Sequence, residues 1–150
     1  MPVTTSSEKW RRAKAAHLRL GCRGEAIACR LLKGMGMTVL VKGFVGPHGE
    51  IDLVARDGAV LCFVEVKTRR HPSRYSRPAD AVTPKKMWNL IRTAERYLRQ
   101  LGHPRLVYRF DIVEVLLDGR RIVEARLWAD AFSRRSLSFT DDGTPVKART

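Results

Sequence analysis

Apolar residues recur along this chain with two periods. Leu20, Gly24, Ile27 and Leu31 follow helical spacing and predict a first helix from about Ser7 to about Lys33, stopped by Gly34 and Gly36. Apolar runs of strand length then predict three extended segments: Thr38 to Phe44, Glu50 to Arg56, and Val60 to Arg69. Asp57-Gly58 is a tight-turn signal, so the second and third segments should form an antiparallel hairpin. Thr83-Pro84 reads as a helix start, with threonine as cap and proline at the first helical position; that helix should end near Leu101, before Gly102. Leu106 to Leu117 predicts a strand, Asp118-Gly119 a turn, and Ile122 to Leu127 a last strand. The expected fold is α/β, a mixed sheet flanked by helices in the order α-β-β-β-α-β-β. Residues 17–132 form its domain. Residues 1–16 are read as a basic extension, residues 71–78 as an exposed loop, and residues 133–150, poor in apolar side chains, as a flexible tail.

Charge interrupts this pattern in one place. Alternation puts Leu61, Phe63, Glu65 and Lys67 on one side of the third extended segment, and Cys62, Val64, Val66 and Thr68 on the other. Both sides are largely apolar, as in a strand covered on both faces. In the preceding strand Asp52 shares a face with Glu50 and Val54, while Ile51, Leu53 and Ala55 take the other. Counting back from Asp57-Gly58 sets Asp52 opposite Phe63, with Glu65 one pleat away on the same face. Unpaired acids there would cost several kcal/mol, so a compensating cation is expected. Two converging carboxylates suit Mg²⁺ or Mn²⁺, which lower the pKa of a bound water and neutralise charge building on phosphorus. Lys67, one pleat beyond Glu65, could orient that water. The competing reading is a buried salt-bridge cluster without catalysis. Glu25 borders the apolar stripe of the first helix and could reach the ion from the helix side, or merely pair with a basic neighbour.

Composition turns this local pattern toward a substrate. The 150 residues carry 29 Lys and Arg against 15 Asp and Glu, a formal charge of +14 and a pI near 10.7. A polyanionic partner is expected, DNA by default, with RNA left open. Charge alone does not separate a binder from an enzyme. In the second helix Lys85, Asn89, Arg92, Arg96 and Arg99 form one stripe, about 200° from an apolar stripe of Met87, Ile91, Ala94, Leu98 and Leu101. Glu95 is the only acid between Thr83 and Leu101, so the basic stripe reads as a phosphate-contacting surface, the plain alternative being a solvated face. Arg69 and Arg70 at the end of the third strand, then Arg74 and Arg77 around Tyr75, extend that patch. His48 abuts the Gly49-Glu50 turn, where it could meet substrate or simply water. Cys22, Cys29 and Cys62 lack metal-finger spacing, and Cys22 and Cys29, seven apart in a helical pattern, read as core fillers. Reduced thiols and the lack of a signal peptide point to the cytoplasm, and no apolar run approaches the roughly 20 residues that cross a bilayer, so no membrane role is expected.

The ordered series Gly21-x-x-Gly24-Glu25-x-x-Ala28, Gly49-Glu50-Ile51-Asp52-Leu53-x-Ala55-Arg56-Asp57-Gly58 and Phe63-Val64-Glu65-Val66-Lys67-Thr68-Arg69 resembles the YraN-type bacterial family. Ala81-Val82-Thr83-Pro84-Lys85-Lys86 and Phe110-Asp111-Ile112-Val113 resemble it too, and the likeness runs from about Leu18 to Phe132. That family is similar to the PD-(D/E)XK, restriction-endonuclease-like nucleases and to archaeal Holliday-junction resolvases. The resemblance implies a restriction-endonuclease-like core, with Asp52 as the first acid, Glu65 the second, Lys67 the lysine and Glu25 the helical acid. Ile51 stands where that superfamily has proline. The expectation is a Mg²⁺- or Mn²⁺-dependent DNA endonuclease, with branched or junction DNA among its candidate substrates. Asp52, Glu65 and the Val66 carbonyl would hold the metal, and Glu25 would act directly or through water. A homodimer is compatible with this reading. The alternatives are a non-catalytic nucleic-acid-binding protein on a nuclease fold, or an oligomeric adaptor in a DNA-processing complex.

Overall fold

The computed structural model describes residues 6–70 and 78–149. Helix α1 spans Ser6–Gly34, followed by strands β1 (Thr38–Gly46), β2 (Gly49–Asp57) and β3 (Val60–Arg69). After a short 3₁₀ turn at Pro78–Ala81 come helix α2 (Pro84–Gln100) and strands β4 (Val107–Asp118) and β5 (Arg121–Phe132). The five strands form one sheet in sequence order. Only β3 and β4 run parallel, because only that connection carries a helix long enough for a crossover. The molecule is thus α/β, a mixed sheet flanked by helices in the expected order, consistent with a restriction-endonuclease-like core. No helix among the described residues is long and apolar enough to cross a membrane.

Each helix closes one face. Ile27, Ala28 and Leu32 of α1 pack on Leu53, Ala55, Cys62, Val64, Val113 and Val115. Met87, Leu90, Ile91 and Ala94 of α2 pack on Val54, Leu61, Phe63, Phe110 and Ile112. Thr83 caps α2 as expected, its side chain accepting the Lys86 N–H. The apolar face of α2 keeps Met87, Ile91 and Ala94 of the expected stripe and widens to include Leu90 and Thr93, whereas Leu101 is half exposed. Glycine 24 sets how closely α1 approaches the sheet. A Cβ there would stand 1.7 Å from Thr68 Oγ1, so only glycine lets the helix lie against the end of β3.

Several expectations need correction. Asp57 pairs with Val60, so the β2–β3 turn is Gly58-Ala59, not Asp57-Gly58. Gly58 takes φ 58°, as the first central residue of a two-residue hairpin turn requires. The register moves by two, which keeps the faces but sets Val54, not Asp52, opposite Phe63. Alternation also breaks in β2: Ile51 joins the α2-side core while Leu53 and Ala55 join the α1-side core. The switch falls at Asp52, opposite Gly43 with its φ of 68°. Strand β5 runs five residues past the expected Leu127, because Phe110 pairs with Phe132 beyond an irregularity facing Asp111.

Residues 133–149 depart most from the expected flexible tail. Ser133 caps a 3₁₀ turn at Arg134–Ser136, and β6 (Leu137–Phe139) pairs with β7 (Pro145–Lys147). Leu137 is buried in the α2-side core, Phe139 meets Trp88 edge-on at 5.1 Å, and Arg134 lies over both rings at 4.5 and 4.9 Å. Two apolar residues and one cation–π clamp suffice to dock this ribbon. The expected loop at 71–78, with Arg74, Tyr75 and Arg77, lies outside the described residues except for Pro78, which opens the 3₁₀ turn.

Candidate active site

The two strand acids and the lysine come together where both helices approach the same end of β2 and β3, with the helical glutamate near enough on α1 for their charges to act on it. Backbone pairing between these strands stops at Leu53↔Val64. Beyond it the Asp52 side chain substitutes for a backbone carbonyl: its Oδ2 accepts the Val66 N–H at 2.7 Å. With the corrected register Asp52 stands level with Glu65, closer than the one-pleat offset expected, and the two carboxyl groups come within hydrogen-bonding reach.

Glu65 is 6% exposed. Lys67 Nζ lies 3.5 Å and Lys86 Nζ 3.7 Å from its Oε1, while its Oε2 is buried and meets no donor among the described residues. Burial, then the Asp52 charge, push its pKa from the ordinary 4.5 up to about 7 against the pull of the two ammonium groups. Near neutral pH Glu65 is therefore poised to hold a proton or to exchange it for a cation. Glu25 sits across the site on α1, half-buried, and its pKa is raised by burial and by the charges of Asp52 and Glu50.

These donors fit a hard divalent cation. The orphaned Oε2 and the anchored Asp52 are oxygen ligands of the type Mg²⁺ and Mn²⁺ prefer. Among the described residues no three His, Cys, Asp or Glu side chains form a metal-holding group. Asp52 and Glu65 make a two-carboxylate set. It suits Mg²⁺, which binds through one or two carboxylates and keeps its remaining positions for water and substrate phosphate.

Lys86 is the residue that sequence reasoning missed. The sequence marks it only as part of the Ala81–Lys86 motif, yet it reaches into the site from the first turn of α2. The signal was present: Lys86, Leu90, Thr93 and Tyr97 share one face, and Leu90 and Thr93 are buried. Of the expected phosphate contacts, Lys85, Arg96 and Arg99 are exposed on α2, and Arg92 is half-buried over the Trp88 ring at 5.8 Å. Arg92, Arg96 and Arg99 line a cleft of about 310 Å³ against Pro47 and His48 of the β1–β2 turn, with Glu95 at its side. Arg69 is half-buried and Arg70 exposed where β3 ends.

The profile of the uncharacterised protein family UPF0102 matches residues 24–115, which hold Glu25, Asp52, Glu65, Lys67 and Lys86. The chain is similar to the UPF0102 protein of Symbiobacterium thermophilum, at 45% identity over 116 residues, covering 76% of this chain and 96% of that protein. It is similar to that of Chlorobaculum parvum at 44% over 108 residues, covering 70% and 83%, and to that of Alkalilimnicola ehrlichii at 44% over 110 residues, covering 73% and 85%. By these matches the chain belongs to the UPF0102, or YraN-type, family.

Proposed function

We propose that this protein is a metal-dependent nuclease that hydrolyses phosphodiester bonds in DNA. One observation carries the reading: a carboxylate pair, half-buried Asp52 beside buried Glu65, in which two lysines meet one Glu65 oxygen while the other has no donor among the described residues, beneath a helix whose outer face is basic. Asp52, Glu65 and the Val66 carbonyl would hold Mg²⁺ or Mn²⁺, with Glu25 reaching it through water. A bound divalent ion supplies acid activation of water and neutralises charge on the phosphoryl oxygens.

The chain's own groups do the rest. The Val66 N–H holds the Asp52 carboxylate in one orientation, so it is aimed before substrate arrives. Lys67, partly exposed, can hold the attacking water or donate to a non-bridging phosphate oxygen as negative charge grows there. Lys86 offers a second ammonium from the α2 side. The stripe of Lys85, Arg92, Arg96 and Arg99 runs along α2 from that point and would guide the backbone toward the β1–β2 turn.

A second reading has its own observation. Lys67 and Lys86 already stand as internal counterions to Glu65, as they would in a protein that binds nucleic acid and cuts nothing. Labelled linear, flapped and four-way DNAs incubated with Mg²⁺ or Mn²⁺ separate the two. The nuclease reading expects cleavage, and a loss of at least about a hundredfold in Asp52→Asn and Glu65→Gln, the scale of several kcal/mol of charge stabilisation. Binding in EDTA should persist in both. Wild-type protein that binds but never cuts, or variants that cut at the wild-type rate, would discard it.

A further inference from the structure

Four arginines gather at the same end of the sheet but on the face opposite α2. Arg19 and Arg23, one turn apart on α1, Arg70 just past β3, and Arg120 in the β4–β5 turn line an open cleft of about 440 Å³ with Ala16, Leu20 and Gly119. Among the described residues no carboxylate lines it. The close contact of Gly24 with Thr68 forces this convergence, because it seats α1 against the end of β3. Arg23 then donates to the Gly119 carbonyl at 3.3 Å and to the Arg120 carbonyl, tying the helix to the β4–β5 turn. Those acceptors are neutral and cancel no charge.

Guanidinium groups stay protonated at any working pH, so their mutual repulsion is relieved only by an anion. Their planar forks match phosphate, and the apolar wall of Ala16 and Leu20 limits competing water. Arg70 lies three residues beyond Lys67, about 10 Å along the strand at roughly 3.3 Å per residue. Phosphates on one strand of a duplex advance about 3.4 Å each along the axis. We propose that this cleft binds an internal phosphate of the nucleic acid, about three nucleotides to the α1 side of the reaction centre. Its position relative to the cut rests on the nuclease reading; its affinity for phosphate does not. The polyanion would then be gripped by α2 on one face of the sheet and by α1 on the other, with the acid pair between them.

The test uses the full chain with Arg19, Arg70 and Arg120 all changed to Gln, and Arg23 kept because it anchors α1. Duplex binding is measured in EDTA across a range of salt. Each lost contact should lower the slope of log K against log salt by about 0.9, so a fall of between two and three is expected. The thermal stabilisation that inorganic phosphate gives the wild type should shrink in parallel. Duplexes with 5′-phosphate and 5′-hydroxyl ends should lose affinity equally; a loss confined to phosphorylated ends would overturn the internal position. An unchanged slope and phosphate response in the folded variant would overturn the cleft altogether, even in an active nuclease. A wild type that shows the slope but never cuts would sink the nuclease reading and leave the cleft standing. Should the triple variant fail to fold, Arg120→Gln alone, in an exposed turn, carries the same test at about 0.9 in slope.

Discussion

Two acids lie buried on neighbouring strands of the sheet, and their surroundings differ in one respect. Asp111 on β4 has no exposed surface, yet its oxygens are occupied. Arg109 Nε reaches them at 2.9 and 3.1 Å, and the Asp130 N–H meets Oδ1 at 2.8 Å. Arg109 also bridges to Asp57 at 3.0 Å, and the Asp111 hydrogen bond holds its guanidinium still more firmly protonated. Glu65 on β3 is nearly as buried but keeps an oxygen without a donor, and its two lysines stand at the long end of ion-pair distance. Burial is therefore not what distinguishes a candidate site. Satisfaction is: an acid whose partners are all in place is a structural element, and one with a partner missing marks room for a cation.

Opposite responses to neutralisation would sharpen this contrast most. Asp111→Asn should cost roughly 3 to 5 kcal/mol, since it breaks the buried pair and leaves Arg109 only the half-exposed Asp57 as an acid partner. Glu65→Gln should stabilise the metal-free protein, because it removes a desolvated charge beside Asp52. Urea melts in EDTA would measure both, and a shared sign would break the comparison.

The pH dependence should be smaller, on the order of 2 to 3 kcal/mol. Glu65 has an ordinary pKa of 4.5, raised to about 7 in the folded protein. Its proton therefore stabilises the fold fully below about 4.5, and this contribution is lost as pH rises through about 7. Between pH 5 and 8 the metal-free wild type should lose stability relative to Glu65→Gln, and parallel profiles would show that the charge is already compensated. Mn²⁺ must displace the same proton. Its affinity, followed by calorimetry, should fall by up to about tenfold per pH unit below 7.

The mildest effect on stability belongs to charge that faces water. Replacing Arg92, Arg96 and Arg99 with Gln leaves the apolar side of α2 intact and should change stability by no more than about 1 kcal/mol, most of it from the Arg92–Trp88 contact. Duplex affinity should weaken for all sequences, with the salt slope lower by about 0.9 for each lost contact. An unaltered slope would mean that this stripe meets only solvent.

Much of this was legible in one dimension. Helix and strand periods, the Thr83-Pro84 cap and the turn glycines are written locally, so the order of elements follows from the sequence, with boundaries off by a residue or two except at the end of β5, which runs five residues further. The faces of Glu65 and Lys67 follow as well, because a register error of two leaves strand parity untouched. Other features depend on what lies across the fold. The Gly58-Ala59 turn and the side switch at Asp52 bring the two carboxyl groups level. Seating α2 on the sheet turns Lys86 toward Glu65, and the approach of α1 at Gly24 collects four arginines from three separate elements. The ribbon at 133–149 was missed because its order comes from Leu137 and the Arg134–Trp88–Phe139 clamp, long-range contacts with no periodic signal. The sequence by itself determined which elements form and which charges they carry, since those are local properties of backbone and side chain. Only the tertiary structure decided which charges are left unsatisfied, since that depends on packing distances between elements remote along the chain.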